Sequence, residues 1–259
     1  SIMDVNTEVL SLWEEYYKKN STISEEMELV PMFYHKSEHT PKKEIRVLSV
    51  GFNPSYVENN YKKDGVPKDL IEIHRWENFE KGNIDDILKI DMALRSEDER
   101  LKHLFYTRYF KPLNDFYHKI DILKNNDFQK SHFDLFFLRG TVQYNAQKLL
   151  IEKQIKIDNE GRKETKLTNF GEKQLQIFKK MLDSYDPSII FVFNAGSSHI
   201  VCEKFLDYQP ISDNGFFYYK KSDNEKIPVV LSTMLTNGRM DVFTRELLIW
   251  QINKYFNAA

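Results

Sequence analysis

The loop Gly51-Phe52-Asn53-Pro54-Ser55-Tyr56 holds the residues with the clearest chemical use. Gly51 permits a tight exit from a strand and Pro54 stiffens the turn, so Asn53 stands on rigid backbone. An amide can orient a water molecule or hydrogen-bond a ligand, although it is a poor general base. The same residues also fit an Asx-type turn in which Asn53 only caps its own loop, and composition alone favours that interpretation.

A second loop, residues 138–145, places Arg139 at the end of an apolar run. A guanidinium there can meet a phosphate or a carboxylate with two parallel hydrogen bonds. Gln143 and Asn145 carry amides that can read the edge of a base. A surface arginine with two solvated amides is an equally good interpretation.

A third loop, residues 193–199, has small residues at the start of a helix. Free N–H groups beside Ser197 and Ser198 would suit an anion. The spacing is not that of a serine nucleophile elbow. We interpret His199, which follows, as a helix-terminus or core histidine.

A fourth loop, residues 231–239, combines small hydroxyl side chains with an apolar tip. Met234 or Leu235 would act as a wedge between bases, and Arg239 would hold a backbone phosphate. An ordinary strand-to-helix connection ending in an Asn-Gly turn is the alternative.

The sequence predicts no metal and no cofactor. His35 and His39 stand four residues apart, but no third ligand at suitable spacing supports them. A phosphate-binding Walker loop and a Gly-x-Gly-x-x-Gly motif are both absent from the sequence.

These loops need a framework of buried strands. Short, mostly apolar runs predict strands, and residues with helical periodicity separate them. The predicted strands are residues 45–50, 133–138, 189–193, 216–219 and 229–231, of which 216–219 is a candidate edge hairpin arm. Strands that alternate with helices predict an α/β fold with a mostly parallel sheet and helices on both faces.

No domain boundary stands out, so we expect one domain over residues 1–259. Its first part, residues 1–44, is predicted to be an N-terminal helix and a wrapping segment. Strong helical periodicity marks residues 169–185, whereas residues 152–166 are predicted to be a charged, mobile connection.

The formal net charge of −2 gives no general attraction to nucleic acid, so phosphate contacts would need a local basic patch. Aromatic residues make up 14% of the chain, a surplus that suits base stacking. The single cysteine, Cys202, excludes an intrachain disulfide and favours a cytoplasmic location. No run is apolar enough to predict a membrane span, and no obligate protein partner is indicated.

Taken in order, these segments resemble the uracil-DNA glycosylase superfamily. Residues 47–55, Val-Leu-Ser-Val-Gly-Phe-Asn-Pro-Ser, are similar to the family's first motif, a strand followed by Gly-x-Asp/Asn-Pro. Weaker similarity follows at residues 109–113, 134–138, 186–196 and 228–231. The resemblance implies a three-layer α/β/α fold with a mostly parallel four-stranded sheet.

The resemblance also implies roles for residues of the four loops. A flipped base would enter a pocket built from the first two loops, and DNA would contact the other two. The implied catalytic residues are Asn53, Thr236 and Asn237. The implied pocket residues are Gly51, Phe52, Pro54, Tyr56, Arg139, Gln143 and Asn145. The implied DNA-binding residues are Ser197, Ser198, Met234, Leu235 and Arg239.

Two departures separate the chain from the family pattern. The second motif usually reads His-Pro-Ser or Asn-Pro-Ser, whereas residues 232–238 read Ser-Thr-Met-Leu-Thr-Asn-Gly. The family's base-reading Asn, which is expected after the second strand, is also missing, and Arg139 stands near its place. The sequence therefore leaves two main hypotheses open, a DNA glycosylase and a non-catalytic relative that binds a nucleotide or nucleic acid. An unrelated α/β enzyme or a protein-interaction domain is a third.

Overall fold

The computed structural model describes residues 4–19, 28–55, 68–80, 83–101, 109–140, 143–235 and 239–257. The helices are α1 (Val5–Lys19), α2 (Lys68–Glu72), α3 (Ile84–Leu101), α4 (Lys111–Tyr117), α5 (Asp121–Lys124), α6 (Gln143–Leu150), α7 (Asn169–Tyr185), α8 (Ala195–Lys204) and α9 (Val242–Asn257). The strands are β1 (Arg46–Gly51), β2 (Gln129–Asp134), β3 (Ile151–Lys156), β4 (Lys163–Leu167), β5 (Ile189–Phe193), β6 (Phe217–Lys220) and β7 (Lys226–Ser232). No helix in these ranges has the length and apolar character needed to cross a bilayer.

A mostly parallel sheet has the strand order β2-β1-β5-β7-β6. β5 pairs in parallel with both β1 and β7, and β6 is an antiparallel edge strand. This confirms the predicted α/β class and the edge hairpin arm. The expected number of four strands is wrong, because the edge arm joins the sheet as a fifth strand.

The centre of the sheet is buried on both faces. Val47, Leu48 and Val50 of β1 are at most 1% exposed, and all five residues of β5 are buried. Side chains of successive strand residues point to opposite faces, so apolar residues are favoured without polar alternation. This is why the two runs read as mostly apolar stretches, although β1 also buries the polar Ser49.

Contacts divide the chain into two interleaved compact units. The first comprises residues 1–40, 51–93 and 134–184, and the second comprises residues 41–50, 94–133 and 185–259. Each unit draws on three separate segments of the chain, so neither corresponds to a continuous domain. The prediction of one domain over residues 1–259 stays a prediction.

The second unit contains most of the sheet and a large apolar core. Val47, Phe191 and Val230 contribute from three strands. Helix α4 adds Phe116, whose ring meets those of Phe191 and Phe193 edge-on at 5.4 Å. Helices α4, α5 and α9 therefore cover one face of β1, β5 and β7.

The first unit packs α1 and α7 around the segment after β2. Trp13 of α1 lies 4.7 Å from the ring of Phe170 in α7. The Phe137 N–H donates to Gln174 Oε1 of α7 at 2.8 Å. This arrangement fixes the backbone of residues 135–138.

Two sequence predictions in this region need correction. β2 spans Gln129–Asp134 rather than 133–138, because the ladder starts where the Gln129 N–H donates to Ile45 O. Residues 152–166 were expected to be a mobile connection, but β3 and β4 pair there as an antiparallel hairpin with Gly161 at positive φ. The many charges of the hairpin lie on its exposed positions and mask its strand pattern.

Candidate functional site

The sheet topology marks the end of β1 as a place for a ligand. The chain goes from β1 to β2 on one side and later to β5 on the other. Such a reversal is a topological switch point, and open α/β sheets bind ligands beyond the carboxyl ends of the strands there. Gly51, the last residue of β1, leads directly into the Asn53 loop.

Main-chain hydrogen bonds hold the first part of this loop. The Leu135 and Phe136 N–H groups donate to Gly51 O and Phe52 O at 3.0 and 3.1 Å. The Phe52 ring is 4% exposed and packs against Phe136 at 5.0 Å. Phe52 therefore supports the loop from the interior rather than offering an open stacking face.

Asn53 is anchored by one end of its amide. Its Nδ2 donates to Leu138 O at 3.0 Å and makes a weaker contact of 3.5 Å with Pro54 O. The side chain is half-buried, and no residue in the described ranges donates a hydrogen bond to its Oδ1. The arrangement fixes an acceptor oxygen that can orient a water molecule.

Pro54 joins the Asn53 loop to the loop after β2. Pro54 is buried, and its carbonyl oxygen accepts a hydrogen bond from the Gly140 N–H at 3.1 Å. The two loops therefore form one hydrogen-bonded layer, which keeps the backbone of Asn53 in place.

Arg139 points into the interior of the first unit. Its side chain is 5% exposed, and Nη2 donates to Asp91 Oδ2 at 2.7 Å. Nε donates to Pro31 O at 3.3 Å. The guanidinium is therefore not a surface group, and the carboxylate that it meets is the internal Asp91, through the single hydrogen bond from Nη2.

Asp91 is shared between Arg139 and a fully buried histidine. The His74 Nε2 lies 2.7 Å from Asp91 Oδ1. Burial alone raises the pKa of the Asp91 carboxyl, but the Arg139 charge and the His74 hydrogen bond outweigh it and hold the pKa well below its ordinary value. His74, Asp91 and Arg139 form a buried charge cluster.

One sequence signal marks this cluster, although the predicted site did not include His74 or Asp91. Ile87, Asp91 and Leu94 follow helical spacing along α3, and Ile87 is fully buried. An aspartate on the apolar stripe of a helix must find a partner inside the protein, because unpaired buried charge is costly. Asp91 was thus recognisable as a residue in need of a buried cation.

The start of α8 in the second unit is capped by its own side chains. Asn194 Oδ1 accepts a hydrogen bond from the Ser197 N–H at 2.8 Å. Ser197 is fully buried, and Ser198 Oγ donates to Val192 O and Ser232 O at 3.1 and 3.0 Å. Ser197 is therefore an internal residue, whereas Ser198 is half-buried with its hydroxyl bonded to two main-chain oxygens, and the DNA-binding role of both serines stays a prediction.

The described part of the loop after β7 is partly packed. Leu235 is half-buried against the apolar core of the second unit, and Met234 is half-buried as well. Arg239 is exposed, and its main-chain oxygen accepts a hydrogen bond from Thr233 Oγ1 at 3.3 Å. Of the residues expected to contact DNA, Arg239 is the most accessible.

Several predicted site residues cannot be placed. Tyr56, Thr236 and Asn237 lie outside the described residues. Gln143 and Asn145 belong to α6 rather than to a loop, and their side chains are outside the described part of the chain. The roles assigned to these residues stay predictions.

The chemistry open to the described site is that of an oriented amide. No group of three or more His, Cys, Asp or Glu side chains in the described ranges is arranged to hold a metal ion. His35 uses Nδ1 in a short contact of 2.7 Å with Ser37 Oγ and caps a turn. Asn53 is therefore the described residue best placed to act on a ligand.

No protein-family model matches the sequence, and no curated protein is significantly similar to it.

Proposed function

We propose that the protein is a DNA glycosylase-like hydrolase that removes a modified or damaged base from DNA. The observation that carries the proposal is the position of Asn53. It follows the buried strand β1 within Gly-Phe-Asn-Pro, and its Nδ2 is anchored by a hydrogen bond to Leu138 O and a weaker one to Pro54 O. Because Nδ2 is held in place, the orientation of Oδ1 on the half-buried side chain is fixed as well.

The reaction is a hydrolysis that an amide can assist. The bond between C1′ of the sugar and the base nitrogen lengthens first, and positive charge develops on the sugar ring. Water then adds through its oxygen to C1′, and one of its protons ends on the departing base or in solvent. Because the sugar is already electron-deficient, the water needs orientation more than a strong base. Asn53 Oδ1 accepts a hydrogen bond from that water.

The α/β class and the mostly parallel sheet support the proposed family only in general terms. β5 pairs in parallel with β1 and β7, and β6 adds an antiparallel edge. We include the three-layer α/β/α arrangement of uracil-DNA glycosylases in the proposal.

The departing base also needs stabilisation. A preorganised donor to a developing anion contributes about 2.7–4 kcal/mol in comparable sites. The family's second-motif histidine is absent, so Thr236 or Asn237 is assigned this task as part of the proposal. Without an ionisable donor, we expect bases that leave easily to be preferred.

A second function, binding of a nucleotide or nucleic acid without catalysis, is favoured by a different observation. Arg139 stands near the expected base-reading position but is bonded to Asp91 in the interior. The net charge of −2 also gives no general attraction to DNA. A protein with this surface would need a small ligand or a short nucleic-acid end.

The test is an excision assay with labelled oligonucleotides containing uracil, xanthine, hypoxanthine or a bulky pyrimidine, in single and double strands. Alkali then cleaves any abasic site. We expect cleavage of at least one substrate and a loss of about 10²–10³-fold in Asn53→Ala. Binding of these oligonucleotides without abasic sites would support the second function.

Asn126→Ala is the matched control for this assay. Asn126 is exposed, and its Nδ2 also donates to a main-chain oxygen, Ile122 O, at 3.0 Å. The control should retain full activity. Equal activity in Asn53→Ala and wild type would exclude the role assigned to Asn53.

A further inference from the structure

Exposed apolar side chains concentrate on helix α9. Eight large hydrophobic residues in the described ranges are exposed, and four of them belong to α9. Phe243, Leu247 and Trp250 are 77%, 63% and 58% exposed. Scattered exposed apolar residues need no explanation, but a contiguous group of this size marks an interaction surface.

The core does not account for this group. The opposite side of α9 carries Leu248, Ile249 and Ile252, which pack against the apolar core of the second unit. A surface helix needs one apolar stripe to attach it to its own protein. α9 has a second stripe, which is exposed to solvent.

The exposed residues have the spacing of a helix-to-helix contact. Phe243, Leu247, Trp250 and Lys254 are separated by four, three and four positions, and we call this set the α9 seam. That spacing is the repeat of the two core positions of a coiled coil. The seam therefore fits the side of another helix rather than a sheet or a flat surface.

A further exposed apolar residue, Ile211, lies in the loop before β6 and is 58% exposed. Gln251 Nε2 donates to Asn214 O of the same loop at 3.1 Å, which holds this loop against α9.

Charge on the α9 seam selects the orientation of the partner helix. Lys254 occupies a core position of the seam, and its Nζ lies 5.0 Å from the centre of the Trp250 ring. In a parallel pair of two α9 helices, Lys254 would face Lys254 and the like charges would repel. In an antiparallel pair centred between residues 248 and 249, Lys254 faces Phe243 and Trp250 faces Leu247.

The same antiparallel register brings opposite charges together. Glu246 is the exposed acidic residue that flanks the α9 seam. Within one helix it is eight residues from Lys254, roughly 12 Å along the axis. Across the antiparallel pair, Lys254 of one copy lies within about one helical turn of Glu246 of the other. By symmetry, the antiparallel pair therefore contains this contact between Lys254 and Glu246 twice.

A membrane surface is a poorer fit for the same residues. Helices that lie on membranes carry several Lys or Arg residues beside the apolar stripe. Glu246 and Gln251 flank the α9 seam instead, and the opposite side of α9 is occupied by the core.

We propose that the α9 seam is the interface of an antiparallel homodimer. This proposal is independent of the catalytic one. The seam covers roughly three turns of one helix, which is short for an interface of the standard size of roughly 800 Å² per partner. The dimer is therefore reversible, and its population depends on protein concentration.

The test is sedimentation velocity of the full chain from about 1 µM to about 500 µM, a range suited to weak interfaces. The mass should rise from 30.9 kDa towards twice that value as concentration increases. Trp250→Glu and Leu247→Glu should each raise the dissociation constant by about 30-fold or more, the effect of losing a central anchor residue.

Met92→Glu is the matched control. Met92 is 59% exposed, a fraction similar to the 58% of Trp250, but it belongs to α3 in the first unit. The control should dimerise as wild type does. Far-ultraviolet circular dichroism should be unchanged in all variants, because each replaced side chain already faces solvent.

Charge exchange tests the antiparallel register. Lys254→Glu should weaken the dimer by about 3–10-fold, and adding Glu246→Lys should restore it. A monomer at every concentration would overturn the proposal, and so would a dimer unaffected by Trp250→Glu. Failure of the double variant to restore association would overturn the register.

Discussion

The loops that follow β1 and β2 make an instructive comparison. Both follow parallel strands, and each presents one polar side chain, Asn53 in the first and Arg139 in the second. Asn53 is half-buried and tied to Leu138 O by its amide nitrogen. Arg139 is almost fully buried and bonded to Asp91 and Pro31 O.

The difference shows that the type of a polar residue beyond a strand does not decide whether a ligand can reach it. The charged guanidinium of Arg139 is better suited to bind an anion, yet it is already paired with the internal carboxylate of Asp91. Asn53 has the weaker chemistry, yet its oxygen stays beyond the reach of the described donors. We therefore expect Arg139 to govern stability and Asn53 to govern activity.

The largest expected effect is on Arg139. Arg139→Ala leaves the Asp91 carboxylate buried with one cation fewer, so the free energy of unfolding should fall by about 3–5 kcal/mol. Urea unfolding followed by circular dichroism measures the change. Asp115→Ala, which breaks the exposed Lys111–Asp115 pair, is the control and should cost less than about 1 kcal/mol.

A double variant keeps this prediction falsifiable. Replacing Asp91 and Arg139 together by Leu removes both charges, so the loss should be smaller than in Arg139→Ala alone. A double variant that is less stable than the single one would contradict this account and would point to the hydrogen bond between His74 and Asp91 instead.

The second prediction concerns acid. Because the folded-state pKa of Asp91 is lowered, the cluster stabilises the fold above the ordinary carboxyl pKa of 3.8 and loses that contribution as pH falls through the folded-state value. Between about pH 5 and pH 2, the free energy of unfolding of the wild type should therefore fall by at least about 1 kcal/mol more than that of Asp91→Asn. Unfolding curves at several pH values measure the slopes, and parallel slopes would contradict this account.

A smaller effect is expected at the start of α8. Asn194→Ala removes the hydrogen bond to the Ser197 N–H and should lower the free energy of unfolding by about 1 kcal/mol. Asn194→Asp keeps an acceptor at the helix start and should recover most of the loss. Similar losses in both variants would mean that the cap contributes little.

A similarly small change in stability is expected for Asn53→Ala. A single neutral hydrogen bond contributes about 0.5–1.5 kcal/mol, so this variant should unfold within that range of wild type. Thermal unfolding beside the excision assay separates the two effects. A loss as large as that of Arg139→Ala would make Asn53 a structural residue and remove the contrast between the two loops.

Much of the framework was predictable from the sequence. The bounds of β5 (Ile189–Phe193) and α7 (Asn169–Tyr185) agree with those predicted, because continuous apolar runs and helical periodicity report burial directly. β3 and β4 were not predicted, since their exposed positions are mostly charged or polar and hide the strand pattern. β2 was placed too late because its first residues, such as Lys130, are polar.

The candidate site was less predictable than the fold. The motif at residues 51–54 located Asn53, but its anchor, Leu138 O, is a main-chain atom 85 positions away. Arg139 was recognised as chemically important, but its partner Asp91 lies in a helix that reads as polar. Local patterns do not contain such pairings.

The sequence by itself determined the α/β class, the mostly parallel sheet and the place of the Gly-Phe-Asn-Pro loop. These features follow from hydrophobic periodicity and from the backbone limits of Gly and Pro, which act over a few residues. Tertiary structure alone decided that Arg139 is paired with Asp91 and that Asn53 is anchored to Leu138 O. Hydrogen bonds and ion pairs depend on distances of a few ångströms between remote segments, and those distances exist only after the chain has folded.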